Sequence, residues 1–579
     1  MKLTENALTV LKTRYLLRDE HGNIIETPEE MFHRVARTVA SAEKIYGGDA
    51  EKWELKFYDA MSNLLFLPNT PTLINAGKEL GQLAACFVLP VNDSMKSIFD
   101  SLKNAALILQ SGGGTGFSFS KLRPRSDIVK STGGIASGPV SFMRIYNTAT
   151  EVIKQGGARR GANMGILRID HPDILEFIKI KRHEEELLNF NISIAITDTF
   201  MQALKKNADY NLLNPRSRQI TGHLKARDVF NEIVESAWET GDPGLVFIDR
   251  INRDNPTPHI GEIESTNPCG EQPLLPFEAC ILGSVDLSKI VRVRAQSTEH
   301  RTQTNEIDWE LLAALVQLGV RFLDDAIDAN KYPVPEIEKM HKGNRKIGLG
   351  VMGWAEMLIK LGIRYNSPKA FRLAREVMSF IRNRARDASS ELAKERGVFP
   401  NFKGSVYDTP EIISKGGLRN ATTTTIAPTG TLSLIAGCSG GIEPLFAIAY
   451  KRLVLDTELH EVHPCFLETA KQRGFYSPEL IKKIGVKGNL RGLKEIPRDV
   501  KRLFVTAHNI PPEDHIEAQA AFQEFTDNAV SKTINLKHRS TRDDVARAFL
   551  LAYETGCKGT TIFRYGSKPG TLLKLDEVD

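Results

Sequence analysis

At 579 residues, 41% of them hydrophobic, the chain is long enough for an extensive core or several domains. Charged residues make up 25% and the net charge is only +5, which gives no electrostatic case for a nucleic-acid surface. The start, "MKLTENALTVLKTRYLL", lacks the apolar core of a signal peptide, and no run of about 18 apolar residues suggests a membrane span. A soluble, cytoplasmic protein is expected.

In chain order, residues 1–68 carry helical patterns such as "PEEMFHRVARTVASAEKIY" and are expected to form a small helical N-terminal domain. From residue 69 the chain alternates short β-rich runs with longer amphipathic stretches. The β-rich runs include "AACFVLPV" (84–91), "FNISIAIT" (190–197), "GLVFID" (244–249) and "ATTTTIAPTGTLSLI" (421–435). Helices are expected over 308–328 and over 369–396, the second stopped by Gly397. This alternation predicts one large α/β domain over 69–565, a barrel, followed by a flexible tail at 566–579.

Six cysteines, Cys86, Cys269, Cys280, Cys438, Cys465 and Cys557, are too few for a disulfide scaffold, and no C-x-x-C occurs. Three glycine-bearing stretches invite a nucleotide reading. "SGGGTGFSFS" (111–120) lacks the ending of a P-loop and reads alone as a tight turn. "KQGGARRGANMG" (154–165) suits a loop near phosphates or bases, with a solvated basic turn as the alternative. "APTGTLS" (427–433) can turn backbone and hydroxyl donors toward an anion, and a strand-edge turn competes with that reading. "HEVHPC" (460–465) offers too few ligands for a metal site and reads as a helix end, so no metal centre is expected.

The stretch "STNPCGEQP" (265–273) is the most pointed. Pro268 and Gly270 exclude helix and ordinary strand and predict a rigid loop. In an extended backbone Asn267, Cys269 and Glu271 would point the same way, setting a thiol between an amide and a proton acceptor.

Taken in order, "NTPTLINAG" (69–77), "CFVLPVNDS" (86–94), "GGGTGFSFS", "GGARRGANMG", "NPCGE" (267–271), "RKIGLGVMGW" (345–354), "APTGTLS" and "GIEP" (441–444) resemble the catalytic chain of ribonucleotide reductases, in the adenosylcobalamin-dependent (class II) branch. The resemblance implies a ten-stranded α/β barrel of two five-stranded halves, with a central finger loop that carries Cys269 at its tip, shielded from oxidants. It implies that Cys269 becomes the thiyl radical that takes the ribose 3′ hydrogen, that Glu271 is the base on the 3′-hydroxyl and that Asn267 is its hydrogen-bonding partner. Cys86 and Cys280 match the pair that delivers two electrons and ends as a disulfide. Thr70, Ala85, Cys86, Gly114, Asn267, Pro268, Cys269, Gly270, Glu271, Pro428, Thr429, Gly430, Thr431 and Leu432 match substrate-binding positions, the last five around the phosphates.

Asp93 and Ser94 match the dNTP specificity site at a dimer interface, and "STGGIASG" (131–138) and "GGARRGA" resemble the loops that carry effector identity to the active site. The expected partners are therefore a ribonucleotide, a dNTP effector, thioredoxin or a similar thiol reductant, and a second copy of the chain, with no nucleic acid and no membrane. Phe563 and Arg564 occupy the positions of the tyrosine pair that relays a radical in class I enzymes, and Tyr565 is single. Neither can act as a phenol relay, which favours adenosylcobalamin as the radical source over the alternative of a class I large subunit with a radical-generating partner. Only Cys557 follows Cys465, so the C-terminal cysteine pair common in the family is missing. Truncation, a second polypeptide or another thiol donor is expected to account for it. No extra ATP-binding domain is expected at the N-terminus, and so no on/off control.

Overall fold

Strand pairing builds a closed ring. In the computed structural model, which describes residues 3–579 apart from 126, 130–132, 154–160, 183–185, 295–303, 455–456, 568–572 and 575–579, the main sheet has ten strands. Cys86–Leu89, Gly114–Ser118, Asn163–Arg168, Phe190–Ile196 and Gly244–Phe247 run parallel, each beside the next. The second half starts at Ala279–Asp286, which pairs in parallel with Ile347–Met352. Residues 422–426 then bridge Leu349 to Val530, and the chain continues into Thr533–Leu536, parallel to Gly559–Arg564. The halves meet antiparallel at two seams, Gly244–Phe247 on Gly559–Arg564 and Cys86–Leu89 on Ala279–Asp286. The expected barrel of two five-stranded halves is therefore the observed fold.

Period-two alternation divides each buried strand between two cores. From Cys86–Leu89, Phe87 and Leu89 join the large outer core under the helices, while Cys86 and Val88 point inward to Leu274, Cys280, Leu282 and Ala427. Inside the ring stands a hairpin, Ser265–Thr266 paired with Pro273–Leu274, whose tip is the loop 267–272. This is the finger. Burying a leucine such as Leu274 contributes about 1.5–3 kcal/mol toward holding it there.

The long amphipathic patterns form helices Trp309–Ala329 and Pro368–Arg396, capped at their starts by Asp308 and Ser367. The Thr-rich run 421–435 departs from expectation: strand-like bridges occur at Thr424 and Ile426, and Leu432–Ala436 is helical. Pro428 and Gly430 end the extended backbone between them. Two expected boundaries also shift. Strand Phe66–Pro68 lies before residue 69 yet pairs with Ala279–Asp286, and Leu573–Lys574, within the expected tail, pairs with Ala449–Val454. Residues 154–160 of "KQGGARRGANMG", residues 131 and 132 of "STGGIASG" and much of 566–579 lie outside the described residues. Among the described residues no helix is long and apolar enough to cross a membrane.

The N-terminal helices Glu5–Arg14, Pro28–Ala40 and Ala50–Ser62 are tied to the barrel by a buried charge network. Glu43, fully buried, accepts from Arg321 at 2.6 Å and from Arg396 at 2.7 Å. Arg396 also holds Asp324 and Asp325, and Asp324 is bonded to Arg345 and Arg419. Burial alone would raise the Asp324 carboxyl, but the surrounding guanidiniums outweigh it and hold it below the ordinary value. Such a network is costly to break because removing one partner strands the others in a dry site. Glu43→Ala is expected to lower stability by about 3–5 kcal/mol, read as a reduced guanidinium midpoint. An unchanged midpoint would show that the network does not tie the N-terminal helices to the barrel.

Candidate active site

The tip of the finger is a β-turn, with the Gly270 N–H donating to the Asn267 carbonyl at 3.1 Å and Pro268 in its second position. Gly270 takes a φ of 79°, where a side chain would be strained. The Asn267 side chain works in two directions. Its Oδ1 accepts from the Gln272 N–H at 3.0 Å, and its Nδ2 donates to Cys86 Sγ at 3.1 Å. Glu271 Oε1 stands 4.0 Å from the same sulfur. The Glu271 carbonyl is fixed by Thr425 Oγ1 at 2.9 Å and by the Ala529 N–H at 3.0 Å, and the Pro268 carbonyl accepts from Asn191 Nδ2 at 2.8 Å.

This turn corrects the expected alternation. Asn267 and Glu271 are each 3% exposed and gather at Cys86, whereas Cys269 is exposed. The expectation that Cys269 is shielded fails for the same reason: the turn lifts its side chain out of the packed loop and into a cavity of about 860 Å³. Pro428, Gly430 and Thr431 of "APTGTLS" line the same cavity. Pro268, Cys269 and Gly270 line the cavity too, whereas Thr70, Ala85, Cys86, Gly114, Asn267, Glu271, Thr429 and Leu432 do not.

Cys86 and Cys280 face each other as direct partners in the antiparallel seam. Opposed residues there have Cα atoms about 4.5–5.5 Å apart, inside the roughly 4.4–6.8 Å span of a disulfide. Both are thiols and both are buried. Burial pushes the Cys280 thiol well above its ordinary value, and the Lys346 ammonium only partly offsets it. Lys346 is itself paired with buried Glu278 at 2.7 Å.

The glycines of "GGGTGFSFS" have a packing role. On strand Gly114–Ser118, Gly114 and Gly116 face inward together, and a Cβ on Gly116 would overlap the Thr266 carbonyl of the finger. On Gly114 it would meet the Pro268 ring at 3.0 Å. Asp93 is held by Arg123, with Nε to Oδ2 at 2.9 Å, and Ser94 caps helix Met95–Gln110. Phe563 and Tyr565 line the cavity, whereas Arg564 faces outward and stacks on Trp238 at 4.1 Å. His463 is bonded to Glu356 at 2.9 Å, and among the described residues no His/Cys/Asp/Glu group could hold a metal ion.

Sequence reasoning missed Arg14, Glu356, Glu443 and Lys532 and set His463 aside with "HEVHPC" as a helix end, yet all five line the cavity. "GIEP", which contains Glu443, and "HEVHPC" carried local signals; the rest arrive through tertiary packing.

Comparison with known proteins gives this arrangement a family. Residues 84–563 match the family described as "Ribonucleotide reductase, barrel domain", and residues 1–81 match "Ribonucleotide reductase, all-alpha domain". The chain is 49% identical to a vitamin B12-dependent ribonucleoside-diphosphate reductase of Thermoplasma acidophilum, across 99% of this chain and 80% of that protein. It is 47% identical to the protein of the same name from Mycobacterium tuberculosis, across 99% and 81%. A ribonucleoside-diphosphate reductase large subunit of Dictyostelium discoideum is 32% identical, across 90% and 65%. The chain belongs to the ribonucleotide reductase family.

The close approach at Gly116 yields a test of the finger's seat. Gly116→Ala is expected to cut turnover at least about 100-fold, since small misplacements of reacting groups carry penalties of that order. Steady-state assays alongside circular dichroism check it; full activity in a folded variant would show that the finger tolerates displacement.

Proposed function

We propose that this chain reduces ribonucleotides to 2′-deoxyribonucleotides by thiol radical chemistry, with a vitamin B12 cofactor as the radical source. The observation that carries the reading is the division of three cysteines around one finger: Cys269 open to the cavity, with Cys86 and Cys280 opposed in the seam behind it. The substrate is a ribonucleoside diphosphate, as in the names of the two relatives above 45% identity, with its phosphates at 428–432 and its ribose at Cys269.

Each residue of the site then has a task. Cys269, as a thiyl, takes the 3′ hydrogen and later returns one. Glu271 accepts the proton of the 3′-hydroxyl, and Asn267, oriented by the Gln272 N–H, fixes the neighbouring polar groups. The 2′-hydroxyl leaves as water. Cys86 and Cys280 supply the two hydrogens and two electrons, so that two thiols and one C2′–OH become one disulfide, one C2′–H and one water. The raised Cys280 keeps its proton until that step.

The cavity wall offers small residues against which a flat ring could lie. Ser193, Gly244, Gly559 and Thr561 pave that wall at the second seam, and a Cβ on Gly244 would meet the Ser193 and Thr561 hydroxyls at 3.0 Å. These small residues and Phe563 would hold the ring. Adenosylcobalamin, when bound, supplies the homolysis that makes the Cys269 thiyl. The class I alternative is not favoured: Arg564 points away from the cavity, and the names of the two relatives above 45% identity state B12 dependence.

Asp93 and Ser94 belong to a dNTP effector site in a homodimer, and thioredoxin or a similar thiol re-reduces the Cys86–Cys280 bond. The N-terminal helices serve as a helical cap, and the ten-stranded barrel is the catalytic domain.

An anaerobic assay of the chain with adenosylcobalamin, dithiothreitol and each ribonucleotide is expected to yield deoxynucleotides, and to yield none without the cofactor. Cys269→Ser is expected to abolish product while substrate affinity stays within about threefold. Turnover by that variant would end the radical assignment.

A further inference from the structure

The first helix of the chain ends in the active-site cavity. Glu5–Arg14 is capped by Thr4, buries Ala7, Val10 and Leu11, and packs on the short helix Leu432–Ala436 that follows the phosphate loop. Arg14 stands in its last turn, where the helix dipole favours a cation. The next residue, Tyr15, is 1% exposed, and its hydroxyl bonds Thr70 Oγ1 at 3.0 Å, which anchors the helix end.

Arg14 lines the cavity beside Gly430 and Thr431. Its Nη1 reaches Thr431 Oγ1 only at 3.4 Å, and its Nε is buried without a hydrogen-bond partner. The other cations on the cavity wall are neutralised: Lys532 by Glu443 at 2.5 Å and Lys558 by Asp254 at 2.9 Å. Among the described residues no carboxylate pairs with Arg14. A guanidinium with a dry, unused N–H is poorly satisfied as it stands. The loop at 428–433 presents neutral backbone and hydroxyl donors, which can orient a phosphate but not neutralise it. A nucleoside diphosphate brings several negative charges to that end, and a planar guanidinium grips phosphate oxygens two at a time.

We propose that Arg14 binds the terminal phosphate of the ribonucleotide, so that the N-terminal helix completes the substrate site of the barrel. The inference rests on the reading above that residues 428–432 hold the substrate's phosphates. Arg14 becomes a substrate-binding residue, and occupancy of the site strengthens docking of residues 5–15.

The full-length chain, Arg14→Gln and Arg14→Lys test this. Arg14→Gln is expected to raise KM for the nucleoside diphosphate about 10- to 100-fold, with kcat at saturation within about threefold. Arg14→Lys is expected to lie between wild type and Arg14→Gln, because it keeps the charge and loses the fork. Inorganic pyrophosphate is expected to compete with substrate in the wild type, and more weakly in Arg14→Gln by the same factor. Hydrogen exchange supplies a readout independent of turnover: pyrophosphate slows exchange across residues 5–15 of the wild type and not of Arg14→Gln. An unchanged KM in Arg14→Gln, a loss confined to kcat, or no pyrophosphate-dependent protection in an active wild type would overturn the assignment. An inactive wild type would instead strike at the proposed function.

Discussion

The structure depends on one constraint: the short loop that carries Cys269 has to be held still inside a ring of strands. The finger meets it by anchoring carbonyls as well as side chains. Glu271 O is shared by Thr425 Oγ1 and the Ala529 N–H, and Pro268 O is held by Asn191, so both halves of the barrel grip the tip. A buried carbonyl left without donors is costly, so each bond resists withdrawal of the loop. The same packing demands missing side chains at Gly114 and Gly116, where the strand would otherwise strike the finger.

From that anchorage the placement of the cysteines follows. The turn at Pro268 and Gly270 sends Cys269 outward to the cavity and leaves Asn267 and Glu271 turned back on Cys86. The antiparallel seam sets Cys280 opposite Cys86. The two thiols come from different halves of the barrel and meet where the halves join.

Much of this was legible in the sequence, for identifiable reasons. Helices Trp309–Ala329 and Pro368–Arg396 were readable because long amphipathic periods carry Asp308, Ser367 and Gly397 as punctuation. Pro268 and Gly270 announced a rigid loop. The alternation of Asn267, Cys269 and Glu271 misled because it presumed extended backbone, and a hydrogen-bonded turn has no such period. The run 421–435 misled because threonines favour strands only until Pro428 and Gly430 interrupt them. Arg14 and Glu43 gave no local signal at all. Arg14 looks like an ordinary helix end and Glu43 like a solvated surface charge. Both acquire meaning only when the N-terminal helices dock, and that docking is encoded in residues hundreds of positions away.

The most direct test of the account is a single turnover without external reductant. Full-length protein, reduced and freed of small thiols, is given adenosylcobalamin and excess ribonucleotide under anaerobic conditions, then quenched in acid and mapped by mass spectrometry. The account predicts close to one deoxynucleotide per chain and a matching amount of disulfide joining residues 86 and 280. Product formed with both of those thiols still free, or a bond drawing on Cys269, Cys438, Cys465 or Cys557 instead, would contradict it.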